Sequence, residues 1–304
     1  MAEFHKNSKM VKGINSFFIS LVPKKENPVG LADYRPISLV SSLYKIFTKV
    51  LSSRLKVVIP QIISENQSLF IGGRNILDRV LVANEVVDSW KKARKRSLVI
   101  KLDFEKAYDS LNWGFLLSMM INFRFSEKWV KWIKECITSS RLSVFANEAP
   151  TNEFSPQRGF KQGDSLSPFL FIIAAEGLSI LMSRALDLEL IKGVKIGSSG
   201  VVLTHLQFAD NSLILCEADV LEVSCLKRIL RCFEMLSGLK MSHHKSVVIG
   251  VGVLAEDINE FVSVLNCKVK SLPFQYLGLP LGANPSRKAS WRPALDKVRG
   301  KLVG

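Results

Sequence analysis

Apolar residues recur at helical spacing through Leu43, Ile46, Phe47, Val50, Leu51 and Leu55. This predicts a helix over about 42–58, with Ser42 as N-cap and Pro60 as its stop. A second such pattern covers about 76–94 and places Leu77, Val80, Leu81, Val87 and Trp90 on one face. The run Leu98-Val99-Ile100-Lys101-Leu102-Asp103 is short, rich in β-formers and ends on an acid. A third helical pattern, about 126–137, uses Trp129, Val130, Trp132, Ile133 and Cys136. Ser167-Pro168 puts proline at the favoured first position of a further helix, whose apolar stretch 168–182 contains Glu176 and reads as buried. Residues 201–208 and 212–216 read as strands separated only by Ala209-Asp210-Asn211, a tight hairpin with an acid at its tip. A helix over about 219–237 follows and ends at Gly238. This order suits an α+β sheet with helices on one face, not a regular doubly wound fold.

Composition narrows the partners. The 304 residues are enough for two or three packed subdomains, and 47% hydrophobic with 23% charged residues is ordinary for a folded chain. The 42 Lys+Arg against 27 Asp+Glu leave a net charge of +15. Such a surplus favours a polyanion, nucleic acid before an anionic membrane surface, over a basic but inert surface. The run 17–22 is too short for a signal peptide or a span, so no membrane partner is expected and the location is expected to be intracellular, nuclear or cytoplasmic. The five cysteines show no CxxC pair and read as reduced thiols.

Two acids stand where chemistry is possible. Asp103 ends one predicted strand and Asp210 sits at the hairpin tip. On adjacent strands they would meet at one sheet edge and suit Mg²⁺, which takes oxygen ligands and leaves room for substrate phosphates. An aspartate in a turn also serves as an Asx-turn residue. The segment Arg158-Gly159-Phe160-Lys161-Gln162-Gly163-Asp164-Ser165 joins glycines to basic side chains ahead of a helix, and reads either as a phosphate or backbone-binding loop or as an ordinary capped loop. The run Lys91-Lys92-Ala93-Arg94-Lys95-Arg96 reads as a solvated helix end or as a contact to a nucleic-acid backbone.

Taken in order, these segments resemble one family. Leu102-Asp103-Phe104-Glu105-Lys106-Ala107-Tyr108-Asp109-Ser110 resembles the first catalytic motif of the reverse transcriptases of long interspersed elements, the non-LTR retrotransposons. Arg158 to Pro168 resembles their second motif, and Phe208-Ala209-Asp210-Asn211 stands in the place of their aromatic-Ala-Asp-Asp box. Asp33-Tyr34-Arg35-Pro36-Ile37-Ser38-Leu39 resembles the fingers motif. Ser237-Gly238-Leu239-Lys240-Met241 with Lys245-Ser246 resembles the palm motif after the box, and Tyr276-Leu277-Gly278-Leu279-Pro280-Leu281-Gly282 the primer-grip region. The wording is closest to plant elements.

The resemblance implies an α+β right-hand polymerase fold, with an antiparallel sheet and helices packed on it. Fingers would span 1–97, the palm with the catalytic motifs and primer-grip region 98–283, and a truncated thumb 284–304. It implies an RNA-directed DNA polymerase acting on an RNA template, a DNA primer and dNTPs. Asp103, Asp210 and the Phe104 carbonyl would hold two Mg²⁺ ions, or Mn²⁺. Tyr108 would exclude a ribose 2′-OH, Gln162 and Gly163 would line the nucleotide pocket, and Arg35 with Lys24 or Lys25 would contact the triphosphate. Lys245 is a candidate proton donor to the leaving pyrophosphate. Two positions depart from the pattern: Asn211 replaces the second Asp of the box at the catalytic centre, and Ser165 replaces the usual Pro. Full elements also carry an endonuclease and C-terminal domains, which are expected to be absent here. The expectation is therefore a polymerase impaired by Asn211 and truncation; the alternative is a degenerate remnant that at most binds nucleic acid. An unrelated two-metal phosphohydrolase would leave the ordered motifs unexplained.

Overall fold

The computed structural model describes residues 2–146, 149–196, 200–283 and 287–302. Of the expected thumb, 284–286 and 303–304 lie outside the described residues; the rest is largely the helix Lys288–Leu302. The chain forms two compact units, one from 1–64, 105–177 and 233–240, the other from 65–104, 178–232 and 241–304.

The first unit holds the helix expected over 42–58, which runs Ser42–Ile62. Its cap is Ser41, one residue earlier than expected, whose Oγ accepts the Tyr44 N–H at 3.2 Å. Pro60 lies inside the last turn and does not end it. The buried stripe is Tyr44, Phe47, Leu51, Leu55 and Ile59, while Leu43 and Ile46 face solvent. The apolar pattern alone aimed the face wrongly because Tyr44 and Thr48, both buried, carry polar atoms. This helix packs on strands Ser16–Pro23 and Tyr34–Val40, which pair antiparallel, and Ser16–Pro23 also pairs parallel with Arg141–Ala146. Phe17, Val40, Tyr44 and Leu142 form the small core between them. Helix Glu127–Thr138 starts at Ser126 as expected, its Oγ accepting from Trp129 N, and buries Trp132, Ile133 and Cys136.

The second unit is built on a five-stranded sheet in the order Lys268–Val269, Val247–Val251, Ser97–Asp103, Asn211–Glu217, His205–Phe208. All pairs are antiparallel except the outer Lys268–Val269, which is parallel to its neighbour. The sheet's central strand explains why helices on one face alone were not enough. Leu98 and Ile100 point one way and Val99 the other, and all three are buried, so both faces are covered. Helix Ile76–Lys92 closes the face shared by Val99, Leu213, Leu215 and Ile249, using Val80, Ala83, Val87 and Trp90. Leu77 and Leu81, expected on that stripe, are exposed.

The expected strand over 201–208 is broken. Val201–Leu203 pairs with Val194–Ile196, and only His205–Phe208 joins the main sheet. The helix opened by Ser167-Pro168 runs Ser167–Asp187 and is long and apolar enough to cross a membrane by length and composition, yet two-thirds of its most apolar window is buried in the protein. Glu176 within it accepts the Ser64 N–H at 3.1 Å.

Candidate active site

Asp103 closes the central strand directly opposite Asn211. The next pair across the hairpin is Phe208 with Asn211, so Ala209 and Asp210 form the two-residue turn. Ala209 takes a left-handed backbone, φ +56°, which the tight reversal demands and which L-residues adopt at a cost. Asp210 therefore stands beside the end of the strand that carries Asp103. Burial pushes the Asp210 carboxyl above its ordinary range, and the charge of Asp103 pushes the same way; Lys245 and Asn211 oppose this. The Asn211 side-chain N–H₂ donates to Asp210 Oδ1 at 3.2 Å.

A third segment frames the pair. Phe104 bridges Met241 antiparallel, the Asp103 carbonyl accepts the Ser242 N–H at 2.8 Å, and the Asp103 N–H donates to Ser246 Oγ at 3.2 Å. These bonds bring Lys245 to Asp103, with Nζ 3.7 Å from Oδ1. Phe104 itself is buried. The donor set suits a hard divalent cation, since two carboxylates stand close enough that the charge of Asp103 disfavours ionisation of Asp210, a repulsion that a cation between them would relieve. Among the described residues no cluster of three or more His, Cys, Asp or Glu side chains forms; beside the two aspartates stands the amide of Asn211.

The remaining candidates lie in the first unit. Tyr108 stacks on Phe171 with ring centroids 5.3 Å apart and planes 12° from parallel. The Gln162 side-chain N–H₂ donates to Asp109 Oδ1 at 3.0 Å, and the Gln162 carbonyl accepts the Ser38 N–H at 2.9 Å, clipping the loop to the Tyr34–Val40 strand. Gly159 and Gly163 both have positive φ; a Cβ on Gly159 would sit 2.7 Å from the Tyr108 and Asp109 carbonyl oxygens. Glycine is thus the residue that lets the two motifs touch. Arg35 is exposed on the same strand. Lys24 donates to the Ala32 carbonyl at 2.8 Å and Lys25 pairs with Asp33 at 2.9 Å, so both are held within one loop. Backbone donation from Val29, then Lys25, holds the Asp33 carboxyl down at about 2.

Sequence reasoning passed over Lys161. Its amine is buried, donates to Asn15 Oδ1 and lies 3.7 Å from the Tyr44 ring centroid. Desolvation lowers it to about 7. No periodicity signals a buried lysine between two glycines. Ser165, the departure in the second motif, shares a hydrogen bond with Thr48 at 3.3 Å. The basic run is partly committed elsewhere: Lys95 pairs with Glu217 at 2.8 Å, Arg96 with Asp257 at 2.6 Å, and Lys91 donates to the Gly282 carbonyl.

Residues 22–281 match the model of the reverse transcriptase (RNA-dependent DNA polymerase) family. The chain belongs to this family. It is 26% identical over 283 residues to the transposon TX1 uncharacterized 149 kDa protein of Xenopus laevis, covering 93% of this chain and 21% of that protein. It is 26% identical over 278 residues to the retrovirus-related Pol polyprotein from type-1 retrotransposable element R2 of Popillia japonica, covering 88% of this chain and 38% of the polyprotein. The chain thus spans well under half the length of either relative. Among solved structures it resembles a Candida tropicalis telomerase in complex with a fragment of telomeric RNA, with a TM-score of 0.60, 16% identity, 93% of this chain and 46% of that chain covered. That likeness shows the right-hand polymerase fold. Both of these relatives are proteins of transposable elements.

Proposed function

We propose that this chain carries the nucleotidyl-transfer centre of a plant-type non-LTR element, built to extend a DNA primer on an RNA template and weakened by Asn211. The observation that carries the reading is the meeting of Asp103 and Asp210 at one end of adjacent antiparallel strands, with Lys245 against Asp103. Divalent ions, Mg²⁺ first and Mn²⁺ as a substitute, would supply charge neutralisation for in-line phosphoryl transfer. Asp103 and Asp210 would hold them, with the Phe104 carbonyl as a further ligand, and Lys245 would hold a proton near the leaving pyrophosphate. Positioning and charge account for most of such a transfer, which is why the sheet edge and the hairpin matter more than any nucleophilic side chain.

The nucleotide-handling roles of Arg35, Lys24, Lys25, Tyr108, Gln162 and Gly163 rest on the motif resemblance. The local geometry supports two of them: Gln162 is anchored at both its side chain and its carbonyl, and Tyr108 is backed by an aromatic ring. Under this reading 1–97 serves as fingers, 98–283 as palm and the segment from 284 as the start of a thumb. The RNA template, primer and dNTPs are the substrates, and the net charge of +15 suits the backbone of an RNA–DNA duplex.

Asn211 favours a second reading, a remnant that keeps the fold and binds nucleic acid without extending a primer. Primer extension on an RNA template with Mg²⁺ or Mn²⁺ separates the two. Extension that disappears in both Asp103→Asn and Asp210→Asn supports the polymerase. No extension, with duplex binding whose log affinity falls with log salt at roughly 0.9 per phosphate contacted (the B-DNA slope), supports the remnant. Salt-independent binding would remove the basic surface from either account.

A further inference from the structure

The segment around Gln67 lies outside the catalytic motifs, yet it grips the catalytic turn. Gln67 is fully buried. Its backbone forms a parallel bridge to Gln207, with the Gln207 N–H donating to the Asn66 carbonyl at 2.8 Å and the Ser68 N–H to the Gln207 carbonyl at 3.2 Å. This pairing extends the sheet beyond the His205–Phe208 strand but stops two residues short of the turn. The side chain reaches further. Gln67 Oε1 accepts the Ser68 and Leu69 N–H groups at 3.0 and 3.1 Å, and also the Ala209 N–H at 3.3 Å. Ala209 is the residue in the left-handed conformation, immediately before Asp210. The segment is itself anchored, by Arg74 donating to the Gln67 carbonyl at 2.6 Å and Arg79 to Ser68 Oγ at 2.5 Å.

We infer that Gln67 is a positioning residue for Asp210: its amide oxygen ties the hairpin turn to a buried, arginine-anchored segment and sets where the Asp210 carboxylate stands. The inference builds on the reading of Asp210 as a metal ligand. An acceptor is what the Ala209 N–H requires, and the side-chain oxygen supplies it. Among the described residues the Gln67 Nε2 has no hydrogen-bond partner, so of the two side-chain polar atoms the oxygen does the holding. A side chain present only to fill space would not need that oxygen.

The test uses the whole chain and three variants. Gln67→Met keeps the length and removes the acceptor, Gln67→Asn keeps an amide but withdraws it by one methylene, and Gln67→Glu keeps an oxygen at full length. Amide hydrogen exchange at Ala209 is read against Ile214 in the adjoining strand, and Mn²⁺ affinity is read by water-proton relaxation. In Gln67→Met, and in Gln67→Asn should the Met variant not fold, Ala209 exchange rises and Mn²⁺ binds about tenfold more weakly, the scale of one net hydrogen bond, while Ile214 exchange is unchanged. Gln67→Glu retains wild-type protection at Ala209 and at least wild-type Mn²⁺ affinity. Unchanged Ala209 exchange in the acceptor-free variant overturns the inference, and so does a Gln67→Glu chain as impaired as Gln67→Met. If the wild-type chain binds no Mn²⁺, the metal reading of Asp103 and Asp210 fails, and Ala209 exchange alone decides the brace.

Discussion

Replacing Asn211 by Asp exchanges an N–H₂ donor for a charged oxygen at the point where Asn211 touches Asp210, 3.2 Å away. Without metal the change is unfavourable. It removes one hydrogen bond and sets two carboxylates side by side, with Asp103 directly across the ladder. At 3.2 Å the repulsion is roughly 1 kcal/mol with the dielectric of water and about 5 kcal/mol at an effective dielectric of 20, which brackets a partly buried site. The Asp210 carboxyl, already raised by burial and by Asp103, moves higher still. A divalent cation reverses the sign, because the added charge becomes a ligand or a nearby acceptor. Asn211→Asp should therefore unfold at lower temperature than wild type in chelator, and recover more than wild type when Mg²⁺ or Mn²⁺ is added. Single-turnover primer extension should rise by about 10²–10³, the range seen when one preorganised electrostatic group is regained, or ~2.7–4 kcal/mol. Equal extension rates together with equal metal-induced stabilisation would refute the argument, leaving Asn211 as a residue that merely suits the turn. Equal rates with the expected thermal response would move the lesion elsewhere, and Ser165 would be the next position to revert.

Tyr108→Ala should admit ribonucleotides more readily in any variant active enough to assay, and should lose the Phe171 stack, worth roughly 0.5–1.5 kcal/mol; unchanged dNTP-over-rNTP selection would remove Tyr108 from sugar discrimination. Gly159→Ala forces a Cβ against two carbonyl oxygens at a φ of +79°, so thermal unfolding should come earlier by at least the roughly 1–2 kcal/mol cost of a left-handed residue, and an unchanged midpoint would mean the two motifs do not touch there. Buried His205, hydrogen-bonded to Ser179 and Thr204, resists protonation until about pH 4, against 6.5 for the ordinary group. The unfolded chain therefore binds the extra proton between those values, and stability should fall by about 3 kcal/mol as pH drops from 6.5 to 4. Urea unfolding across that window checks this, and His205→Asn should flatten the response; a wild-type profile with no fall would contradict the burial of a neutral imidazole.

Much of this was legible along the chain, for reasons that are local. The hairpin was visible because only three residues separate two β-rich runs, and a reversal that tight needs special backbone at its tip. The helix start at Ser167 was visible because a first-turn proline acts within one turn. Asp103 and Asp210 were marked by ending strands and by their motifs. What remained hidden depends on segments far apart in the chain. That Asp103 lies opposite Asn211 follows from strand pairing, which periodicity does not encode. The buried face of Ser42–Ile62 was misread because Tyr44 and Thr48 turn inward, and burial of polar atoms depends on partners supplied elsewhere, such as the Cys136 carbonyl for Tyr44. Lys161 among aromatic rings and Gln67 against the Ala209-Asp210 turn left no trace in the pattern at all. A single polar residue in a loop looks solvated until the tertiary structure closes over it and supplies the donor, acceptor or ring that makes its burial tolerable.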